Sequence, residues 1–217
     1  MRYKETSIIV KIFTRELGLK AYLINGVRSA GGKSKMALYQ PLSILDLVVY
    51  DKSNSGLQRI SEAKLNQAHQ RIPFDFARTG IALFLTEVIS KSIYEEYQNE
   101  SLFDFLVQSI VHLDSDEVKL KHFPLVFLVE QARFLGFAPE EALGFIEESK
   151  NQPFHPDELI IAKNYLVEVM NNSFEINFKA PIDIRRKLVD YLLDFYSEQT
   201  ESTSPWKTLP ILRQLLD

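Results

Sequence analysis

The apolar residues of this chain change their spacing once, near residue 74, and that change divides the fold. Before it, Ser7 to Phe13 alternates, with Ile8, Val10 and Ile12 on one face and Ile9, Lys11 and Phe13 on the other. Alternation in a run rich in β-branched residues predicts a strand. Ala21 to Val27 and Leu42 to Tyr50 repeat the pattern, and a fourth strand covers Leu57 to Lys64. The connector Thr14 to Lys20 is short and contains a glycine, so the first two strands read as a hairpin. From Phe74 onward Ile81, Phe84, Leu85 and Val88 fall at helical spacing, and Ala82, Leu83 and Ile89 widen the apolar stripe to the width expected at the centre of a bundle.

The helical signals then follow in order. Ser101 and Asp104 have capping-box-like spacing ahead of Leu106, Val107, Ile110 and Val111. A third helix is predicted from Phe123 to Leu135, ended by Gly136 as a C-terminal cap. Pro139 with Glu140 and Glu141 starts a short fourth helix, and Pro156, Asp157 and Glu158 repeat that signal before Leu159 to Met170. Further helices are expected over Ile182 to Tyr196 and, after a polar loop, over Leu209 to Leu216. The fold class is therefore α+β, with a β domain at 1–73 and an all-helical domain at 74–217. Four strands leave a small Greek-key barrel one short of the five it needs, so a first strand is expected ahead of the first residue.

Charge follows the same division. Residues 1–78 carry 13 Lys and Arg against 6 Asp and Glu, the remainder carries 12 against 23, and together they give the net charge of -4. The basic half points to a nucleic-acid surface and the acidic half to partner or solubility surfaces. Cations concentrate in Gly26-Val27-Arg28-Ser29-Ala30-Gly31-Gly32-Lys33-Ser34-Lys35, which holds no acid. Taken by itself such a loop is as readily a solvated turn. Its surroundings favour nucleic acid: Arg15 and Lys20 flank the neighbouring hairpin turn, Lys11 and Arg59 lie on strands, and Phe13, Tyr22, Tyr39 and Tyr50 are interspersed. Cations for phosphates beside aromatic faces for unstacked bases make a single-strand binding surface, although core packing competes for each aromatic.

Several chemistries fit poorly. Gly32-Lys33-Ser34 resembles the end of a phosphate loop, but the first glycine of that motif would fall on Val27, and the residues that follow lead towards Pro41 and a strand rather than a helix. No nucleophile or metalloprotease motif is present, and Asp114-Ser115-Asp116-Glu117 reads as an acidic loop. The chain has no cysteine, and His69, His112, His122 and His155 follow no ligand spacing, so neither a metal nor another cofactor is expected. His122, beside Phe123, reads as a helix-start or surface residue. The apolar runs fall far short of the roughly 20 residues of a membrane span, no signal-peptide pattern opens the chain, and a reducing cytoplasm fits best.

The order of residues resembles the bacterial RecO recombination-mediator family. The resemblance runs from Tyr3-Lys4-Glu5 through Lys11-Ile12-Phe13-Thr14-Arg15-Glu16-Leu17-Gly18-Leu19, Asn25-Gly26-Val27-Arg28 and Leu38-Tyr39-Gln40-Pro41-Leu42. It returns at Phe134-Leu135-Gly136-Phe137-Ala138-Pro139, and more faintly from Ile184 to Tyr191 and around Lys207. It implies an N-terminal OB-fold barrel, a helical C-terminal domain and no enzyme active site. It also implies binding of single- and double-stranded DNA, strand annealing, and joint action with RecR and single-stranded DNA-binding protein. The family's basic surface carries over onto Arg15, Arg28, Lys33 and Lys35, and less directly onto Lys20. The chain departs from the family where many members place four cysteines, because Glu140 to Pro156 holds none, and where a Lys-Ser-Arg-Arg pattern is replaced by Lys207-Thr208-Leu209-Pro210. A non-catalytic protein-interaction adaptor built on an OB-like barrel is the alternative reading.

Overall fold

The structure, a computed structural model, describes residues 2–3, 6–27, 33–51, 56–147 and 154–216. These residues form two compact units, Met1–Gln70 with Ile93–Val107, and Arg71–Ser92 with Gln108–Asp217.

The first unit is built on strands β1 (Arg2–Tyr3), β2 (Ser7–Thr14), β3 (Gly18–Ile24), β4 (Ile44–Tyr50) and β5 (Gln58–Gln67), with a short helix α1 (Lys33–Leu38) between β3 and β4. The sheet order is β1-β2-β3-β5-β4, antiparallel except for the parallel β3–β5 pair. This is the strand order of an OB-fold. Among the described residues the sheet is not closed, and β1 and β4 are its edges. The strand count differs from the four expected, because Arg2–Tyr3 pairs with Ser7 and Ile8 as a two-residue strand, too short to show a period. The phase of the long strands is as read: Ile8, Val10 and Ile12 point one way, onto a core of Tyr22, Ile24 and Val27 that Met36, Tyr39, Val49 and Ile60 complete.

Helix α1 corrects the sequence reading, which took the residues between the basic loop and Pro41 to be without a helix. Six residues are less than two turns and cannot display a helical stripe. Met36 and Tyr39 nevertheless bring an apolar side onto the sheet core.

The rest of the described chain is helical: α2 (Phe76–Ser92), α3 (Glu100–Leu113), α4 (Phe123–Leu135), α5 (Gly144–Glu147), α6 (Pro156–Asn172), α7 (Ile182–Gln199) and α8 (Leu209–Leu215). The architecture is thus α+β, strands first and helices after. Helix α4 is the centre of the second unit, every residue from Phe123 to Ala132 being buried. Gly136 ends it at φ 82°, its N–H donating to the carbonyls of Ala132 and Arg133. Tyr196 of α7 donates to the Leu128 carbonyl of α4 at 2.7 Å, and α8 lies on α2 where Gly80 leaves room for Leu215.

Two start signals moved. Asn99, not Ser101, caps α3: its side-chain carbonyl accepts the Leu102 N–H at 2.9 Å. Pro139-Glu140-Glu141 precedes a turn, and the short helix begins at Gly144. The acidic loop after α3 also has a structural role, since Asp114 accepts the N–H groups of Arg71 and Ile72, both at 2.8 Å. His122 stands at the start of α4 as expected but is buried rather than on the surface, and its Nδ1 meets the Tyr165 hydroxyl at 2.5 Å.

Candidate nucleic-acid interface

The hairpin between β2 and β3 turns through Arg15, Glu16 and Leu17, with Thr14 opposite Gly18. Gly18 adopts φ 66°, the left-handed residue that closes a three-residue hairpin loop. The Thr14 hydroxyl accepts the Leu17 N–H and donates to the Gly18 carbonyl, both at 3.1 Å. Arg15 leaves this turn and forms a bidentate pair with Asp104 of α3, one bond measuring 3.0 Å. Its guanidinium lies 4.9 Å from the centroid of Phe103, which packs against Phe13. The hydrogen bond to Asp104 raises the Arg15 pKa and so holds the charge firmly.

The other cations of this unit are largely neutralised too. Lys20 reaches Asp51 at 2.5 Å, Lys11 reaches Glu95 at 3.0 Å, and Lys64 reaches Asp46 at 3.5 Å. Arg59, exposed near the start of β5, has no ion pair among the described residues. Of the five residues singled out from the sequence, Arg15 and Lys20 are therefore present but engaged with carboxylates. Arg28 lies outside the described residues. Lys33 and Lys35 are placed by their backbone in α1, and their side chains lie outside the description.

The aromatics separate into core and surface. Tyr22 is fully buried in the sheet core and Tyr39 packs on it, whereas Tyr50 is exposed. Burial raises the hydroxyl pKa of both Tyr22 and Tyr39.

One groove gathers the flanks of the basic segment. Strands β3 and β5 pair at Tyr22–Gln58 and Leu23–Arg59 and then part. The gap, about 490 Å³, is lined by Leu23, Ile24 and Asn25 from one strand, by Arg59 to Ala63 from the other, and by Leu38 and Tyr39 at the end of α1. The basic segment thus leaves the sheet beside this groove and returns to it. Arg59 is legible in the sequence as a strand cation, but its position at a groove depends on where two strands separate in space.

The helical unit carries cations of its own. Lys121, Arg185, Arg186 and Arg213 rim an apolar depression floored by Leu125, Val189 and Leu212, with Arg213 paired to Asp190. Among the described residues no three His, Asp or Glu side chains stand together as metal ligands, and no helix is long and apolar enough to cross a membrane.

The chain matches known proteins over most of its length. Residues 1–69 match the family described as "Recombination protein O N terminal", and residues 73–155 match "Recombination protein O C terminal". The DNA repair protein RecO of Flavobacterium johnsoniae is 32% identical over 224 residues, covering 99% of this chain and 94% of that protein. The chain belongs to the RecO family of DNA repair proteins. The RecO protein of Flavobacterium psychrophilum is 28% identical over 230 residues, with the same coverage, and that of Bacteroides fragilis is 37% identical over 139 residues, 64% of this chain and 57% of that protein. RecO membership places the chain in DNA repair and recombination, and the resemblance first seen from Tyr3 to Leu42 and around Gly136 is confirmed over nearly its whole length.

Proposed function

We propose that this RecO-family chain binds single- and double-stranded DNA through residues 1–73, anneals complementary strands, and acts without an active site of its own. The observation that carries the reading is the segment from Gly26 to Lys35, with three cations and no acid, whose flanks meet at one groove of an OB-ordered sheet. Arg28, Lys33 and Lys35 are the principal contacts. Arg15 and Lys20 contribute less, because each already has a carboxylate partner. Cations placed between two phosphate backbones reduce their repulsion, so base pairing proceeds faster on the protein than in solution.

The partners in this reading are RecR and single-stranded DNA-binding protein, and the setting is the cytoplasm. Residues 74–217 serve the proteins. Cations around an apolar floor at Leu125, Val189 and Leu212 suit a segment that is both acidic and apolar. A strand-annealing assay tests the function: two complementary oligonucleotides, one labelled, are mixed at low salt with and without the chain. Acceleration that Arg28→Glu, Lys33→Glu, Lys35→Glu abolishes supports it, and no acceleration by the unaltered protein overturns it in favour of the adaptor. Incubation with labelled DNA and magnesium checks the absence of an active site, since cleavage would contradict it.

A further inference from the structure

We infer that the groove between β3 and β5 holds one unstacked nucleotide of a single strand, with its phosphate on Arg59; the inference rests on the DNA-binding reading above and assigns a residue and a substrate form to it.

Three observations converge on this site. Arg59 is the cation that the sheet unit leaves without an ion pair among the described residues, while Lys11, Arg15, Lys20 and Lys64 each face a carboxylate. A guanidinium that lines a groove and has no ion pair among the described residues can take a phosphate in a two-pronged contact.

The groove also has the size and chemistry of a base site. Its volume of about 490 Å³ falls within the range of small-ligand sites. Its walls combine apolar Leu23 and Ile60 with Asn25, Ser61 and Glu62, so a base finds flat apolar contact and both donors and acceptors at its edge. The Glu62 carboxylate accepts from exocyclic amino groups such as that of cytosine. The Asn25 amide oxygen is already fixed by the Ser7 hydroxyl at 3.0 Å, which gives that wall a set orientation.

Finally, the groove exists because of the topology. Among the described residues the two parallel strands make no further pair beyond Leu23–Arg59, so Ile60 to Ala63 line the groove instead of a β3 partner. A base pair is too broad to enter a gap between neighbouring strands, whereas one base turned out of its stack fits. The site therefore discriminates for the single strand.

Fluorescence anisotropy with a labelled 20-nucleotide single strand and the corresponding 20-base-pair duplex tests this. Arg59→Ala, a change on an exposed strand position, is expected to weaken single-strand binding about tenfold and duplex binding less than about twofold. Ser61→Trp, which fills the groove without altering charge, is expected to reproduce the single-strand loss. Equal weakening of both ligands by Arg59→Ala, or unchanged single-strand binding in both variants, overturns the inference. Loss of both ligands in the Arg28, Lys33, Lys35 variant with no effect of Arg59→Ala would reject the groove and keep the DNA-binding reading; no effect of either would reject the reading itself.

Discussion

Gly18 lies so close to Tyr97 that a Cβ on Gly18 would stand 2.2 Å from the Tyr97 carbonyl oxygen. The approach is held by Leu19, whose N–H donates to that carbonyl at 3.2 Å and whose own carbonyl accepts the Glu96 N–H at 2.9 Å. The hairpin tip and the segment before α3 are thus joined backbone to backbone, with Lys11–Glu95 and Arg15–Asp104 on either side.

Gly18→Ala is therefore expected to destabilise the protein by about 3 kcal/mol or more, from left-handed strain plus a clash with backbone. Gly136→Ala is the control. Its φ of 82° brings the same strain, but nothing lies within 4 Å of the added carbon, so about 1–2 kcal/mol is expected. Urea unfolding of both variants checks the difference, and equal losses would contradict the close approach.

Arg15 is held by Asp104 in a pair whose side chains are both about two-fifths exposed. Such an exposed pair adds little stability, but it occupies the cation. Asp104→Asn frees Arg15 and is expected to raise single-strand DNA affinity about threefold at low salt while leaving the melting temperature nearly unchanged. Weaker binding in Asp104→Asn would show that the pair positions Arg15 for DNA instead of withholding it.

Glu87 anchors the end of the chain. Its carboxylate accepts the N–H groups of Lys207 and Thr208 at 2.9 and 2.8 Å and the Thr208 hydroxyl at 2.6 Å, with Lys91 at 3.1 Å. Burial opposes the charge, yet the hydrogen bonds from Thr208, Lys207 and Lys91 prevail and hold the pKa at about 2. A depressed carboxyl pKa contributes stability that is complete above its unfolded value near 4.5 and is lost as pH falls towards about 2. Trp206, the single tryptophan, lies with its ring 4.1 Å from the Lys91 ammonium, so its fluorescence reports this anchor. A change in emission between pH 4.5 and 2 is expected, absent in Glu87→Gln, which itself costs about 1–3 kcal/mol. A transition unaffected by Glu87→Gln would place the acid sensitivity elsewhere.

His122 adds a second acid window. Burial, reinforced by Lys121 and Arg185, lowers its pKa from 6.5 to about 4. Between those values the unfolded chain takes up a proton that the folded one refuses, so stability falls as pH drops from about 6.5 to about 4 and the loss levels off below. Tyr165→Phe, by removing the hydroxyl at 2.5 Å from the ring nitrogen, is expected to cost about 1–3 kcal/mol at neutral pH. Stability measured in His122→Gln should show a shallower slope between pH 6.5 and 4, the remainder coming from His112, whose pKa burial also lowers; an unchanged slope would contradict burial of the neutral His122 ring.

The long strands and α4 were legible from their apolar residues: Ile8, Val10 and Ile12 recur by twos and pack on one core, and the apolar run at Leu125 to Val129 lies in a helix buried on all sides. Gly136 was legible because a helix C-terminus needs a left-handed residue. What escaped depended on length or on distant contacts. Arg2–Tyr3 and Lys33–Leu38 are too short to carry a pattern. The capping-box-like spacing of Ser101 and Asp104 pointed to the wrong cap, because Asn99, two residues earlier, is an equally good capping residue and takes the Leu102 N–H. The site residues were legible as charges but not as partners, since nothing near Arg15 in sequence announces Asp104, 89 residues away.

The most direct measurement of the DNA-binding claim is fluorescence anisotropy of a labelled single-stranded oligonucleotide over a salt series, comparing the unaltered chain with Arg28→Glu, Lys33→Glu, Lys35→Glu. With roughly four to six phosphates contacted, the logarithm of affinity is expected to fall against the logarithm of salt with a slope of about -3 to -5, and the variant to bind weakly with a slope shallower by about 2. Affinity independent of salt, or a variant that binds as the unaltered chain does, would contradict the assignment of DNA to the basic segment.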